Sequence, residues 1–251
     1  MRILWLFAHP EPRSLNAALR DAGRKALADL GHELRESDLY AMGWNPVVSA
    51  ADFGAGTDRL VVGRDSAAAY ASGTLAADIR EEQDKLRWAD MVVVQFPLWW
   101  FGPPAILKGW FDRVLVEGFA YGVPAEDGRP LRYGAGPLSG KRAFTVVTTG
   151  SAAPGFAPRG VHGALRDVLW PLLHGVFFYT GMDVLAPLEI SAADKATPED
   201  ADRHAARLRD RLAGLADETP IPFRSERADY EGLLLRPDVA PGLTGLDAHL
   251  R

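Results

Sequence analysis

Met91-Val92-Val93-Val94-Gln95-Phe96-Pro97-Leu98-Trp99-Trp100-Phe101-Gly102 is the stretch around which the rest of the chain is arranged. A short apolar run rich in β-branched residues, stopped by Gln95-Phe96-Pro97, has the pattern of a central parallel strand covered on both faces. Leu98-Trp99-Trp100-Phe101 then falls at the strand's carboxyl end. In open α/β sheets that end, where strand order reverses, is where flat ligands dock. A proline-fixed loop that exposes large rings in a row is a costly way to build core, which points to a binding platform.

On the amino-terminal side, residues 3–8 form the first expected strand, and His9-Pro10-Glu11-Pro12-Arg13-Ser14 is a polar turn. A helix opens at Leu15, with Leu15, Ala18, Leu19, Ala22, Ala26, Leu27 and Leu30 at helical spacing and Gly31 as its stop. Ser14 stands at the N-cap position, which by itself needs no ligand. The same turn also directs free backbone N–H groups and the positive helix end at one spot, which suits a phosphate. Ser14, Asn16 and His9 would add side-chain donors there.

Residues 33–39 read as a second strand, 40–63 as an irregular insertion, and 76–88 as a helix leading into the central strand. Residues 104–116 follow as a helix whose broad apolar face hints at a subunit interface. Residues 117–140 are loop, 142–148 a fourth strand ending in Thr148-Thr149-Gly150-Ser151, and 155–163 a further loop. A helix over 164–180, kinked at Trp170-Pro171, a fifth strand over 183–190 and a helix opening at Thr197-Pro198 complete the alternation. From 219 to 251 periodicity lapses, and Leu233-Leu234-Leu235 reads as an exposed apolar patch. The division expected is a catalytic domain over 1–218 and an extension over 219–251, packed on it or on a partner subunit.

Composition narrows the function. A net charge of -5 without a basic stripe disfavours nucleic acid, and zero cysteines exclude disulfides, thiolate nucleophiles and iron–sulfur clusters. The first apolar run is too short for a signal peptide and no 18-residue apolar stretch exists, so the expectation is a cytoplasmic protein. No G-x-G-x-x-G follows the first strand, and no P-loop, G-x-S-x-G elbow or H-E-x-x-H occurs, so no metal is expected. What survives is an α/β, flavodoxin-like, doubly wound five-stranded parallel sheet of order 2-1-3-4-5. A phosphate turn at one end of its crevice and a flat apolar slot at the other describe a flavin site.

The block QFPLWWFGPPAILKGWFD over 95–112, with ESDLYAM at 36–42, FAY at 119–121, Thr148-Thr149-Gly150 and Leu169-Trp170-Pro171, resembles the NAD(P)H:quinone oxidoreductases of the DT-diaphorase type over nearly the whole length. The resemblance implies a homodimer with FAD at each subunit boundary, passing a hydride from NAD(P)H to a quinone. It implies His9, Ser14, Leu15 and Asn16 at the FAD phosphates. Pro97, Leu98, Trp100 and Phe101 would lie beside the isoalloxazine ring, with Trp99 in the same loop and Thr148, Thr149, Gly150 and Ser151 near the ring's polar edge. Tyr121 would line the quinone pocket, and His162 would face the flavin's N1 and O2 side.

The departures from the family are specific. Trp99 replaces a glutamine, Val123 a pocket tyrosine, and Phe156 the tyrosine that works with the histidine in stabilising charge on the reduced flavin. Arg203 matches an adenine-end arginine only loosely, Asp202 holding the strict position. The implied reaction is ping-pong, both substrates using one slot bounded by Tyr121, Trp100 and Phe156, with His162 as the electrostatic partner. Two alternatives stand beside it: an FMN-dependent azo- or nitroreductase, and a non-enzymatic flavin-binding partner of a transport protein that docks through Leu233 to Leu235.

Overall fold

The computed structural model describes residues 1–54 and 59–251. Strand β1 (Arg2–Phe7) leads into α1 (Leu15–Asp29) and β2 (Glu33–Asp38), then α2 (Val62–Ser72), α3 (Ala77–Trp88) and β3 (Met91–Pro97). Helix α4 (Ala105–Val114) and β4 (Arg142–Thr148) follow, then the short helices α5 (Leu165–Val168) and α6 (Trp170–Leu172). Strands β5 (Asp183–Val184) and β6 (Leu188–Ile190) precede α7 (Pro198–Gly214), and α8 (Glu226–Asp229), β7 (Tyr230–Glu231) and β8 (Leu234–Leu235) end the series.

The main sheet runs β2-β1-β3-β4-β5, with β6 also on β4, and every pair in it is parallel. Successive strand residues point to opposite faces, so each strand feeds two cores. Ile3, Trp5, Phe7, Met91 and Val93 pack beneath α1 and α7 with Leu19, Leu27, Leu208 and Leu212. Leu4, Leu6, Val92, Val94 and Phe96 pack on the other side with Ile79, Leu86, Leu107 and Trp110 from α3 and α4. Covering both faces buries β3 from end to end, and all three crevice loops leave the sheet at one edge.

The structure departs from the sequence expectations in several of these elements. Helix α2 lies where no helix was expected; its buried residues are Asp65, Ser66 and Ala69, which write no apolar stripe. The expected insertion over 40–63 therefore ends in a helix start, and its residues 55–58 lie outside the described residues. Pro171 has no N–H to donate, so the helix expected over 164–180 breaks into α5, α6 and a π turn, Leu173–Phe178. The fifth strand is two fragments, because Pro187 cannot extend the ladder. The apolar face of α4, expected to be left for a subunit interface, buries Leu107, Trp110, Phe111 and Val114 within the chain.

One buried cation organises the insertion. Arg113 donates to both Asp52 carboxylate oxygens (2.7 and 3.2 Å), to Asp78 (2.7 Å) and to the Asn45 carbonyl (3.0 Å). Below it the insertion crosses α4 so closely that a β-carbon on Gly109 would lie 2.1 Å from the Pro46 carbonyl oxygen, so only glycine fits.

The carboxyl-terminal tail is less irregular than its sequence suggests. Its Phe223 stands edge-on to Trp170 (centroids 5.4 Å apart), Glu226 pairs with Arg132 (2.6 Å), and β7 and β8 form a small antiparallel hairpin. Leu233 and Leu234 are exposed.

Candidate active site

The loop after β3 is the most constrained backbone at the sheet's carboxyl edge. Trp99 and Gly102 exchange two backbone hydrogen bonds of 3.1 Å, and the residues between them, Trp100 and Phe101, have φ of 51° and 60°. Two consecutive left-handed residues closing a two-residue loop make a type I′ turn, a geometry favouring Asn-Gly over Trp-Phe. Each left-handed non-glycine residue costs about 1–2 kcal/mol. The turn holds Trp100 at 99 % exposure, with Phe101 at 52 % and Trp99 at 44 %. Strained turns that display apolar rings to solvent cluster at functional sites.

Opposite these rings lies the loop after β4. Thr149, Gly150, Ser151, Phe156 and His162 join Leu98, Trp100 and Phe101 around a cleft of about 170 Å³. Phe156 lies against His162 with centroids 4.8 Å apart, and Phe101 meets His162 edge-on at 5.6 Å. His162 Nε2 is 3.1 Å from Ser151 Oγ. Among the described residues, no acceptor receives the backbone N–H of Gly150, Ser151, Trp100 or Phe101.

A buried polar chain aligns the three loops. Trp5 Nε1 donates to Gln95 Oε1 (3.0 Å), Gln95 Nε2 to the Asn16 carbonyl (2.7 Å), and Asn16 Nδ2 to Thr148 Oγ1 (2.8 Å). Gln95 thus fastens the first turn of α1 to the ends of β3 and β4. Sequence reasoning assigned Gln95 no role and stopped the strand there; β3 instead runs on to Pro97, and the one signal was a polar residue inside an otherwise apolar strand.

At the α1 turn, Ser14 Oγ accepts from the Ala17 N–H (3.2 Å), so the cap is made without a ligand. Asn16 does not aim its amide at an anion as expected, since Nδ2 is committed to Thr148, while Oδ1 is buried with no partner among the described residues. Among the described residues no acceptor takes the N–H groups of Leu15 and Asn16, and no acidic residue stands in the helix's first turn. His9 Nδ1 lies 3.1 Å from the Glu11 N–H and 3.3 Å from the Glu11 carbonyl oxygen, so Glu11 ties this nitrogen in either tautomer. Burial lowers the His9 pKa, which favours the neutral ring. His9 and Trp99 have ring centroids 6.3 Å apart, so the turn and the aromatic loop share one crevice.

Not every expected residue converges. Pro97 and Thr148 are buried as a paired β3–β4 couple and support the cleft from behind. Tyr121 is not among the cleft's lining residues. It sits beside α2, its hydroxyl near Gly63, where burial, then Glu117, raises its pKa. Arg203 is an exposed residue of α7 paired with Asp200, away from the cleft. A larger cavity of about 360 Å³ lies between the tail and the 129–134 loop, lined by Tyr133, Trp170, His174, Tyr230 and His249. It contains none of the strand-end donors, so the chemistry is assigned to the smaller cleft. Among the described residues no His, Asp or Glu cluster is arranged to hold a metal.

The observed groups fit a flavin: an exposed aromatic platform, unused N–H donors facing it, an imidazole, and a helix amino terminus at the far end. Comparison with known proteins agrees with this class. Residues 1–212 match the model of a flavodoxin-like fold family, and the chain belongs to that family. It is 40% identical over 224 residues to human ribosyldihydronicotinamide dehydrogenase [quinone], covering 88% of this chain and 94% of the relative. Rat NAD(P)H dehydrogenase [quinone] 1 is 38% identical over 225 residues, covering 88% and 80% of the two chains. A candidate quinone reductase from Klebsiella pneumoniae superposes with a TM-score of 0.97 at 46% identity, covering 100% of both chains.

Proposed function

We propose that this chain is a flavin-dependent NAD(P)H:quinone oxidoreductase with residues 1–218 as its catalytic unit. The observation that carries the reading is the cleft in which the exposed Trp100–Phe101 turn faces His162 and the open N–H groups of Gly150 and Ser151. A bound flavin would supply the two-electron hydride chemistry. The chain's own part is to hold and tune it. Leu15 and Asn16 N–H groups, with the His9 ring, would bind phosphate. Trp100 and Phe101 would present the flat surface. The Gly150 and Ser151 N–H groups would hold the polar edge, where His162 stabilises negative charge. Leu98, Phe101 and Phe156 exclude water and make each of these interactions stronger.

Donor and acceptor would enter the same cleft in turn, a ping-pong order. Tyr121 stands apart from the cleft within one chain, which supports a homodimer in which the partner's Tyr121 closes the slot. FAD is the cofactor of this reading. FMN is the second, supported by the pairing of Arg203 with Asp200, which leaves the adenine end without a committed cation.

The test begins with the purified protein's visible spectrum and chromatography of any flavin released on denaturation. FAD supports the first reading and FMN the azo- or nitroreductase alternative. A colourless protein that cannot be reconstituted would overturn both and favour a non-enzymatic role. Initial rates with NADH, NADPH and ribosyldihydronicotinamide then identify the donor. Intersecting rather than parallel lines would rule out the shared slot.

A further inference from the structure

We propose that Ser151 is a positioning residue for His162, providing a hydroxyl at the imidazole that Phe156 lacks; this rests on the reading of His162 as the cleft's electrostatic partner. The two side chains are 3.1 Å apart, Ser151 Oγ to His162 Nε2. Their direction follows from what surrounds the hydroxyl. Ser151 Oγ also lies 3.4 Å from the Ala152 carbonyl, which can only accept, so the hydroxyl proton points there and Oγ accepts from Nε2–H. Nδ1 has no hydrogen-bond partner among the described residues. Ser151 therefore holds the Nε2–H tautomer and leaves Nδ1 as the ring's open acceptor.

Three other observations make this a built arrangement. The backbone closes the same loop, His162 N–H donating to the Gly155 carbonyl at 3.0 Å. A β-carbon on Gly155 would lie 2.6 Å from Ser151 Oγ and 2.8 Å from His162 Cδ2, so the loop is drawn in until serine and imidazole meet. The remaining ring contacts are Phe156 and Phe101, which are apolar and can hold the ring's plane but cannot choose its tautomer. Among the described residues, Ser151 is the one polar side chain bonded to the ring. In histidines that act in catalysis, the hydrogen bond at one nitrogen sets the chemistry available at the other.

The test reads the tautomer and the rate separately. Long-range ¹H–¹⁵N spectra of the flavin-free protein, assigned by loss of the signal in His162→Gln, should show a single Nε2–H imidazole. In Ser151→Ala, which removes only the oxygen, the ring should show both neutral tautomers. Ser151→Cys, similar in shape with a weakly bonding sulfur, should behave as the alanine variant does. In the holoenzyme Ser151→Ala should lower kcat about three- to tenfold, the worth of one neutral hydrogen bond, with KM for the quinone little changed. Added to His162→Gln it should cost nothing further, because the two act as a unit. An Nδ1–H tautomer in the wild type, an unchanged spectrum in both serine variants, or a full loss persisting in the His162→Gln background overturns the assignment. Failure of the wild type to reduce quinones would defeat the functional reading instead, leaving the spectrum to decide Ser151.

Discussion

Trp100→Gly separates what the aromatic turn costs the fold from what it does for the ligand. Trp100 is 99 % exposed, so its removal forfeits almost no burial within the chain. Its φ of 51° is a left-handed conformation costing about 1–2 kcal/mol in any residue but glycine. Glycine recovers that strain and loses about 0.5–1 kcal/mol through the greater freedom of the unfolded chain. The net expectation is a flavin-free protein between unchanged and about 1.5 kcal/mol more stable, raising Tm by up to about 5 °C at this size. Flavin affinity should move the other way. Losing one stacked ring is worth about 1–2 kcal/mol, or about five- to thirtyfold in Kd. Phe101→Gly is the control: φ is again left-handed, but the ring is half-buried on Phe156 and His162, and about 1 kcal/mol of lost burial cancels the relief. Urea unfolding of the flavin-free protein and quenching of flavin fluorescence measure the two quantities. A Trp100→Gly protein destabilised by more than about 1 kcal/mol, or one binding flavin with unchanged affinity, would refute the reasoning.

Phe156→Tyr should keep the flavin and raise the turnover rate, because the new hydroxyl would stand in the cleft beside His162; a flavin-loaded but inactive variant in a stopped-flow assay would show that the loop has been misread. Arg113→Met should lose about 3–5 kcal/mol, since it leaves the Asp52 carboxylate buried without its cation; the shift in urea midpoint measures it, and a change below 1 kcal/mol contradicts the role given to Arg113. Burial, then His249, lowers the His174 pKa to about 4, below its ordinary value. The unfolded chain then binds more protons between pH 6.5 and 4, so stability is full above pH 6.5 and falls by at most about 3 kcal/mol towards pH 4. His174→Phe should flatten that part of the pH profile, and an unaltered slope counts against the assignment.

Much of the fold was legible because helices on both faces of a parallel sheet leave a plain trace, short apolar runs alternating with amphipathic ones. Met91 to Val94 showed the central strand, and Ser14 and Thr197 marked helix starts that the structure caps as expected. Helix α2 was illegible because its buried residues are Asp65, Ser66 and Ala69, which carry no strong periodic signal. Pro171 and Pro187 were visible as proline. Whether each bends an element or splits it depends on which neighbouring groups take over the hydrogen bonds.

For the site, residue types and the order of loops lay in the sequence by itself: aromatics after the third strand, hydroxyls after the fourth, a capped helix after the first. Local chemistry and alternation determine those. Tertiary structure alone decided which side chains meet. Gln95 joins Asn16 across 79 residues, and Asn16 reaches Thr148 across 132. It placed Tyr121 beside α2 rather than in the cleft, and it set Ser151 against His162. Such pairings depend on the register of three strands and the path of two loops, and no local pattern records a distance between segments that become neighbours only when the sheet closes.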